Sequence, residues 1–260
     1  MKIEKYAAER RSDEALRLLL QTQCEERVGD GVGRMILLPI PTTRDGVNIN
    51  GTDLALSSII CEVGCGDLIV GYDIPLGIVE DIRSKGARVL DVSGDEAFLS
   101  ENAEISAIGA LGYILNTTPT VPSGLYVGVI GYGRIGSLLV RYLLFFGARV
   151  RVYTGRECVR RELSEYGVST APIDYKSASA DFSGLDIIIN TAPQGLSSLF
   201  PLGRVTPPKR VIDLASGDSF MGVEGVERLP GIPGKMYPKS AGRAYYKAII
   251  SHLSGEGGQA

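Results

Sequence analysis

Residues 125–136 read Leu-Tyr-Val-Gly-Val-Ile-Gly-Tyr-Gly-Arg-Ile-Gly. An apolar run with the pattern of a buried strand stops at Gly131, Gly133 follows two residues on, and Gly136 completes a G-x-G-x-x-G spacing. An amphipathic stretch, Ser137-Leu-Leu-Val-Arg-Tyr-Leu-Leu-Phe-Phe146, starts at once and stops at Gly147, a residue suited to the end of a helix. A second strand-like run, Ala148-Arg-Val-Arg-Val-Tyr153, lies behind it. The pattern predicts a βαβ unit with a phosphate-binding turn. Gly131 would allow the tight turn, Gly133 the close approach of a pyrophosphate, and Gly136 the packing of helix on strand. Tyr132, Arg134 and Ile135 complete the loop whose backbone N–H groups, at the positive end of the helix, face the anion. The alternative is a plain βαβ unit that binds nothing.

The end of the second strand bears on which dinucleotide is bound. A preference for NAD usually places Asp or Glu there, to hold the ribose 2′-hydroxyl. Here the chain runs Tyr153-Thr154-Gly155-Arg156, and its first carboxylate is Glu157, at the start of the next helical stretch. A hydroxyl and a guanidinium suit a 2′-phosphate, and Arg134 adds charge nearby, so the expected cofactor is NADP. The alternative for both arginines is an ordinary solvated surface position.

The rest of the composition narrows the class. The 260 residues carry a formal net charge of −3, which gives no electrostatic reason to expect a nucleic-acid or membrane-surface partner. No apolar run approaches the ~20 residues that span a bilayer, and the first residues contain no apolar signal core, so the expected location is cytoplasmic. Cys24, Cys61, Cys65 and Cys158 form no metal-like pattern. Cys61 and Cys65 would share a face if helical, and all four are expected to be buried free thiols, with no metal. His252, near the C-terminus, is the one histidine; a solvated or helix-dipole role fits its place at the end of a helix.

Alternation of strand-like and helical patterns predicts an α/β fold with two Rossmann-like βα domains and parallel sheets. Residues 1–115, joined by a returning C-terminal helix over 240–254, form a smaller substrate-side domain; residues 116–239 form the dinucleotide-binding domain. The first helix is expected to open at Ser12, so close to the start that the small sheet would lack a strand there. A further helix is read over 101–115, and the Gly- and Pro-rich run from Gly231 is read as non-helical until its end.

In two-domain dehydrogenases of this build, catalysis occurs in a cleft at the carboxyl ends of the strands. Four segments would reach such a cleft. Asn190-Thr191-Ala192-Pro193 follows a strand and suits backbone contacts to the nicotinamide-side ribose, or is a simple turn. Asp213-Leu-Ala-Ser216 follows the next strand; Ser216 is the better ligand contact, and Asp213 could simply cap the turn. Lys239 and Ser240 fall near the start of the last helix, where a lysine opposes the dipole unless it faces an anionic substrate or plain solvent. Thr42, Thr43 and Arg44, in Pro39-Ile-Pro-Thr-Thr-Arg-Asp45, could form a carboxylate clamp or a surface turn.

These motifs, in this order, resemble the A-type subunit of dipicolinate synthase, the NADP-linked enzyme of spore-forming bacteria. The resemblance rests on Val-Ile-Gly-Tyr-Gly-Arg-Ile-Gly, Asp-Ile-Ile-Ile-Asn-Thr-Ala-Pro, Val-Ile-Asp-Leu-Ala-Ser and, most specifically, Leu-Pro-Gly-Ile-Pro-Gly-Lys-Met-Tyr-Pro-Lys-Ser-Ala-Gly. It implies oxidation of dihydrodipicolinate to dipicolinate during sporulation, with NADP as oxidant and a flavoprotein-like second subunit; homo-oligomerisation is also open. A dicarboxylate substrate needs cations, and Arg44 with Lys239 could supply them. The run at 101–109 departs from the family by lacking Pro-Thr-x-Glu-Gly. Two other readings stand beside this one: a 2-hydroxyacid dehydrogenase, which would need His252 as its base, and a non-catalytic NADP-binding sensor or scaffold.

Overall fold

The structure is a computed structural model and describes residues 2–7, 9–25, 33–173, 180–193, 210–215, 220 and 224–255. The chain divides into two compact units, the first made of residues 1–102 and 233–260, the second of 103–232.

The first unit is built on four parallel strands in spatial order β1 (Lys2–Lys5), β2 (Arg34–Leu37), β3 (Leu68–Gly71) and β4 (Arg88–Asp91). Side chains of a strand alternate between faces, and both faces of this sheet are covered, which is why its central strands read as unbroken apolar runs. Met35, Leu37, Leu68 and Val70 pack on one face with α1 (Arg10–Glu25) and α8 (Pro238–Leu253), through Ala15, Leu19, Ala244, Tyr245 and Ile249. Ile36, Leu38 and Ile69 pack on the other with α2 (Leu56–Glu62) and α3 (Leu76–Ser84). The returning C-terminal helix is thus part of this core.

Two expectations are corrected here. The small sheet does have an N-terminal strand: β1 pairs with β2 from Lys2 opposite Arg34 to Lys5 opposite Leu37. Lys-Ile-Glu-Lys offers a single apolar side chain, enough for an edge strand but too little to stand out in a sequence. The thiols of Cys61, Cys65 and Cys158 are exposed, and Cys65 lies beyond the end of α2, so it shares no helix face with Cys61. The side chain of Cys24 lies outside the described residues.

The second unit contains six parallel strands in spatial order β10-β9-β8-β5-β6-β7: β5 (Tyr126–Ile130), β6 (Arg149–Tyr153), β7 (Ser169–Ala171), β8 (Ile187–Asn190), β9 (Arg210–Asp213) and β10 (Val226–Arg228). Read from the other edge, this is the 3-2-1-4-5-6 order of a doubly wound dinucleotide fold. Val127, Val129, Val150, Val152, Ile187, Ile189 and Ile212 bury one face, together with residues of α4 (Glu96–Thr117), α5 (Arg134–Phe145) and α6 (Glu157–Glu165). The order reverses between β5 and β8, where ligands of such sheets bind.

Candidate functional site

At the carboxyl end of β5 the three glycines do three different things. Gly131 has φ +91°, and a Cβ there would lie 2.7 Å from the Thr191 hydroxyl. A Cβ on Gly136 would come within 2.4 Å of the Gly131 carbonyl oxygen and 2.8 Å of that same hydroxyl, so only glycine lets α5 sit this close to the loop. Gly133 faces open space, with nothing within 4 Å of its Cβ position. It is also the N-cap of α5; no side chain caps the helix, and its first turn holds no acidic residue. The result is a cleared cradle in front of donors and a positive dipole end that no side chain of the helix neutralises, a geometry that fits a pyrophosphate. Tyr132 and Ile135 pack their side chains against the core, and Arg134 is exposed.

The end of β6 lies beside this loop. Arg156 donates from Nη2 to the Tyr132 carbonyl, which holds its guanidinium against the glycine turn. Thr154 is buried; its hydroxyl accepts from the Arg156 N–H at 3.2 Å, and its carbonyl accepts from Arg160 at 2.7 Å. Thr154 therefore shapes the turn, leaving Gly155 and Arg156 as the exposed groups. Glu157 already opens α6, so no carboxylate stands between Tyr153 and that helix.

The turns after β8 and β9 are locked to the loop from below. Asn190 is fully buried and donates to Asp213 Oδ1 at 2.8 Å and to the Ala192 carbonyl at 3.0 Å, while its own Oδ1 accepts from the Ala192 N–H at 3.0 Å. Asp213 accepts a further bond from the Ala215 N–H at 3.1 Å, the capping role considered for it. Burial pushes the Asp213 carboxyl above its ordinary range, against the opposing pull of Asn190 and Ala215. The Thr191 hydroxyl donates to the Ile130 carbonyl at 2.9 Å. The side chains of Asn190 and Thr191 thus hold the site's framework, and Pro193 is the exposed member of the turn. Ser216 lies outside the described residues.

The substrate-side candidates are placed less as expected. Thr42 is fully buried, its hydroxyl accepting from the Tyr72 N–H at 2.9 Å. Thr43 donates to Asp45 at 3.0 Å, and Asp45 also accepts from the N–H groups of Val47 and Asn48, which hold its carboxyl well below the usual range. The Thr42 hydroxyl is therefore spent on the backbone after β3 and that of Thr43 inside its own loop, and Arg44, bonded from Nε to Asn50 at 3.2 Å, is the group the loop displays.

Lys239 and Ser240 are exposed in the first turn of α8, and they belong to the same unit as Arg44. With Arg10, Asp13, Glu14, Arg17 and Pro238, Lys239 lines a depression of about 290 Å³. The Glu14 carboxyl, held low chiefly by its hydrogen bonds to Arg17, also feels the Lys239 charge. A carboxylate thus stands close enough to the cation at this helix start to feel its charge. Residues 232–236, read as non-helical, form a short helix, α7 (Ile232–Met236), with Pro233 in its first turn, where a missing N–H costs nothing. His252 is exposed in the last turn of α8. Among the described residues no group of three His, Cys, Asp or Glu is arranged to hold a metal ion. Among the described residues, Arg11 is a buried charge outside the expected site; it falls on the buried stripe of α1 with Ala15 and Leu19.

Fold and loop together define a Rossmann-type α/β protein of the dehydrogenase build. The chain is similar to the A-type subunit of dipicolinate synthase from Bacillus subtilis (strain 168), with 30% identity over 153 residues, 56% of this chain. The matched stretch spans about half, 51%, of that relative's length. The fold is that of the same subunit from Bacillus halodurans, with a TM-score of 0.75 at 21% identity over 97% of both chains. A shorter stretch of 92 residues is 30% identical to mouse glyoxylate reductase/hydroxypyruvate reductase, covering 35% of this chain and 28% of that protein. No family model matches. Sequence and fold lead to the same relative that the motifs did.

Proposed function

We propose that this chain is an NADP-dependent dehydrogenase that oxidises dihydrodipicolinate to dipicolinate. The observation that carries the cofactor half is the glycine loop, with its cleared Gly133 cradle and the Arg156 guanidinium docked on its rim. The substrate half rests on the similarity to the dipicolinate synthase relative.

Bound at this loop, NADP would take a hydride from the dihydropyridine ring while a ring proton passes to solvent, leaving NADPH and an aromatic dicarboxylate. The chain's own contribution is placement. The N–H groups at the start of α5 would receive the pyrophosphate, and the Thr191 hydroxyl and the Asn190–Asp213 pair keep that loop and the adjoining turn in fixed register. Arg156, whose guanidinium is docked on the Tyr132 carbonyl, would hold the 2′-phosphate. A reaction that ends in an aromatic ring has its own driving force, so positioning counts for more than a strong base.

A flavoprotein-like second subunit belongs to the same reading. The 2-hydroxyacid alternative draws on the match to the mouse reductase, but its base would be an exposed residue in a terminal helix turn.

The test is turnover and binding on the purified chain. NADPH formation from fresh dihydrodipicolinate, with little NADH formed in parallel, is the expected result. Arg156→Asp should lower the NADP-over-NAD affinity ratio at least tenfold, the order of one lost charge-assisted pair. An unchanged ratio removes Arg156 from the argument, and tight NADP binding with no turnover moves the chain to the sensing or scaffolding class.

A further inference from the structure

We propose that Arg11 is the carboxylate-binding group of the first unit. It is the second residue of α1, just after β1, and so lies at the carboxyl edge of the parallel sheet, where open α/β sheets receive ligands. Arg11 is only 3% exposed, yet its Nε and Nη1 have no hydrogen-bond partner. Glu9 Oε1 stands 3.4 Å from Nε, within ion-pair reach but not aligned as a hydrogen bond. Its other oxygen accepts from the Ser12 hydroxyl at 2.7 Å. Tyr72 and Tyr245 are the other groups near enough to feel the charge. The Tyr245 hydroxyl donates to the Leu38 and Val70 carbonyls, and burial pushes it far from ionising, so it supplies no anion. Facing the guanidinium is Gly234, where a Cβ would sit 3.7 Å from Nε and Nη2 and 2.7 Å from Glu9 Oε1. A side chain at Gly234 would therefore press on the Glu9 carboxylate, while its contact with the guanidinium would be an ordinary one.

A guanidinium withdrawn from water with donors unmet is costly, and native folds retain such groups where a ligand completes them. A planar fork of donors matches a planar two-oxygen anion, so the ligand class is a carboxylate. Glu9 occupies one side of that fork as a poorly aligned stand-in, and an incoming carboxylate displaces it. The inference rests on the dehydrogenase reading for the identity of that carboxylate, a pyridine ring bearing two of them, and it makes Arg11, rather than Lys239, the cation that receives it.

The experiment is calorimetric titration of the full chain with pyridine-2,6-dicarboxylate and, separately, with pyruvate, alongside thermal melting without ligand. Arg11→Met is expected to weaken dicarboxylate binding about 30-fold or more, the order seen when one partner of a buried charge pair is removed. Its melting temperature should stay at or above that of the wild type, because a buried cation with two unmet donors and one poorly aligned ion pair has been replaced by an apolar chain of similar length. Arg11→Lys should bind weakly while melting normally, since a point charge lacks the fork, and Glu9→Gln should bind more tightly. Unchanged dicarboxylate affinity in either Arg11 variant overturns the proposal. So does a fall in melting temperature in Arg11→Met that Arg11→Lys reverses together with full binding, which would make Arg11 a structural pin. If the wild type binds pyruvate alone and the Arg11 variants lose it, Arg11 stands and the dihydrodipicolinate reading fails. If the wild type binds neither, Arg11 fails.

Discussion

Gly133 and Gly136 stand three residues apart in one loop, but the space around them is opposite in kind. At Gly136 a methyl group would press on the Gly131 carbonyl at 2.4 Å, backbone that cannot yield cheaply. Gly136→Ala should therefore destabilise the second unit by about 1–3 kcal/mol, the cost of overpacking, and lower its urea midpoint. Gly133→Ala meets nothing in the protein, so its melting should stay within about 0.5 kcal/mol of wild type. What it fills is the place of the pyrophosphate, and NADPH affinity should fall about tenfold or more. Equal effects of both variants on melting would show that the cradle is not open.

Asp213 adds a pH signature at the same scale. Its carboxyl is raised in the folded chain, so on raising pH through the ordinary carboxylate range the unfolded chain releases this proton first. Its contribution to stability is therefore undiminished below the unfolded value and declines as pH rises toward the raised folded value. Asp213→Asn keeps an oxygen for Asn190 and Ala215 but cannot ionise. Urea titrations from acid to neutral pH should show the variant lacking that decline; parallel wild-type and variant curves would contradict the assignment.

Elements are legible in proportion to how much of their pattern is carried by apolar side chains. β5 is a buried run of Val and Ile that stops at a glycine, β6 alternates arginine with buried valine before Tyr153, and both fall where the apolar pattern puts them, at Tyr126–Ile130 and Arg149–Tyr153. β1 and α7 escape such a reading because neither is marked by an apolar pattern of its own. β1 is held by its ladder to β2, and α7 by a proline-led turn at the start of a segment rich in glycine. The pattern starts α4 at Glu101, but the helix begins at Glu96, where Asp95 accepts from the Phe98 N–H at 2.9 Å and caps it. Asp95→Ala should lower stability by about 1 kcal/mol in urea melts, and Asp95→Ser should recover most of that. The glycine loop and Arg156 can be read because their chemistry is contiguous in sequence. Arg11 cannot, since its burial depends on Glu9, Tyr72, Gly234 and Tyr245, which come from four separate parts of the chain.

At the scale of the whole molecule the chain leaves the first unit after residue 102 and returns to it at residue 233. The first unit therefore cannot be completed until the last helix is made. Tyr245 is the clearest mark of that dependence: it is fully buried, meets Phe98 in a tilted ring contact with centroids 6.2 Å apart, and bonds the carbonyls of Leu38 and Val70 at the ends of two adjacent strands. Tyr245→Ala removes a large aromatic side chain from a packed core, a change that costs about 3–5 kcal/mol. The loss should be confined to the unit that owns the side chain. In hydrogen exchange, amides of α1, α8 and β1–β4 should lose protection while those of β5, β6 and α5 keep it, and NADPH affinity should change by less than about threefold. Uniform loss of protection across both units would mean that the two fold as a single cooperative body, in which case the returning helix stabilises the dinucleotide loop as well as its own sheet.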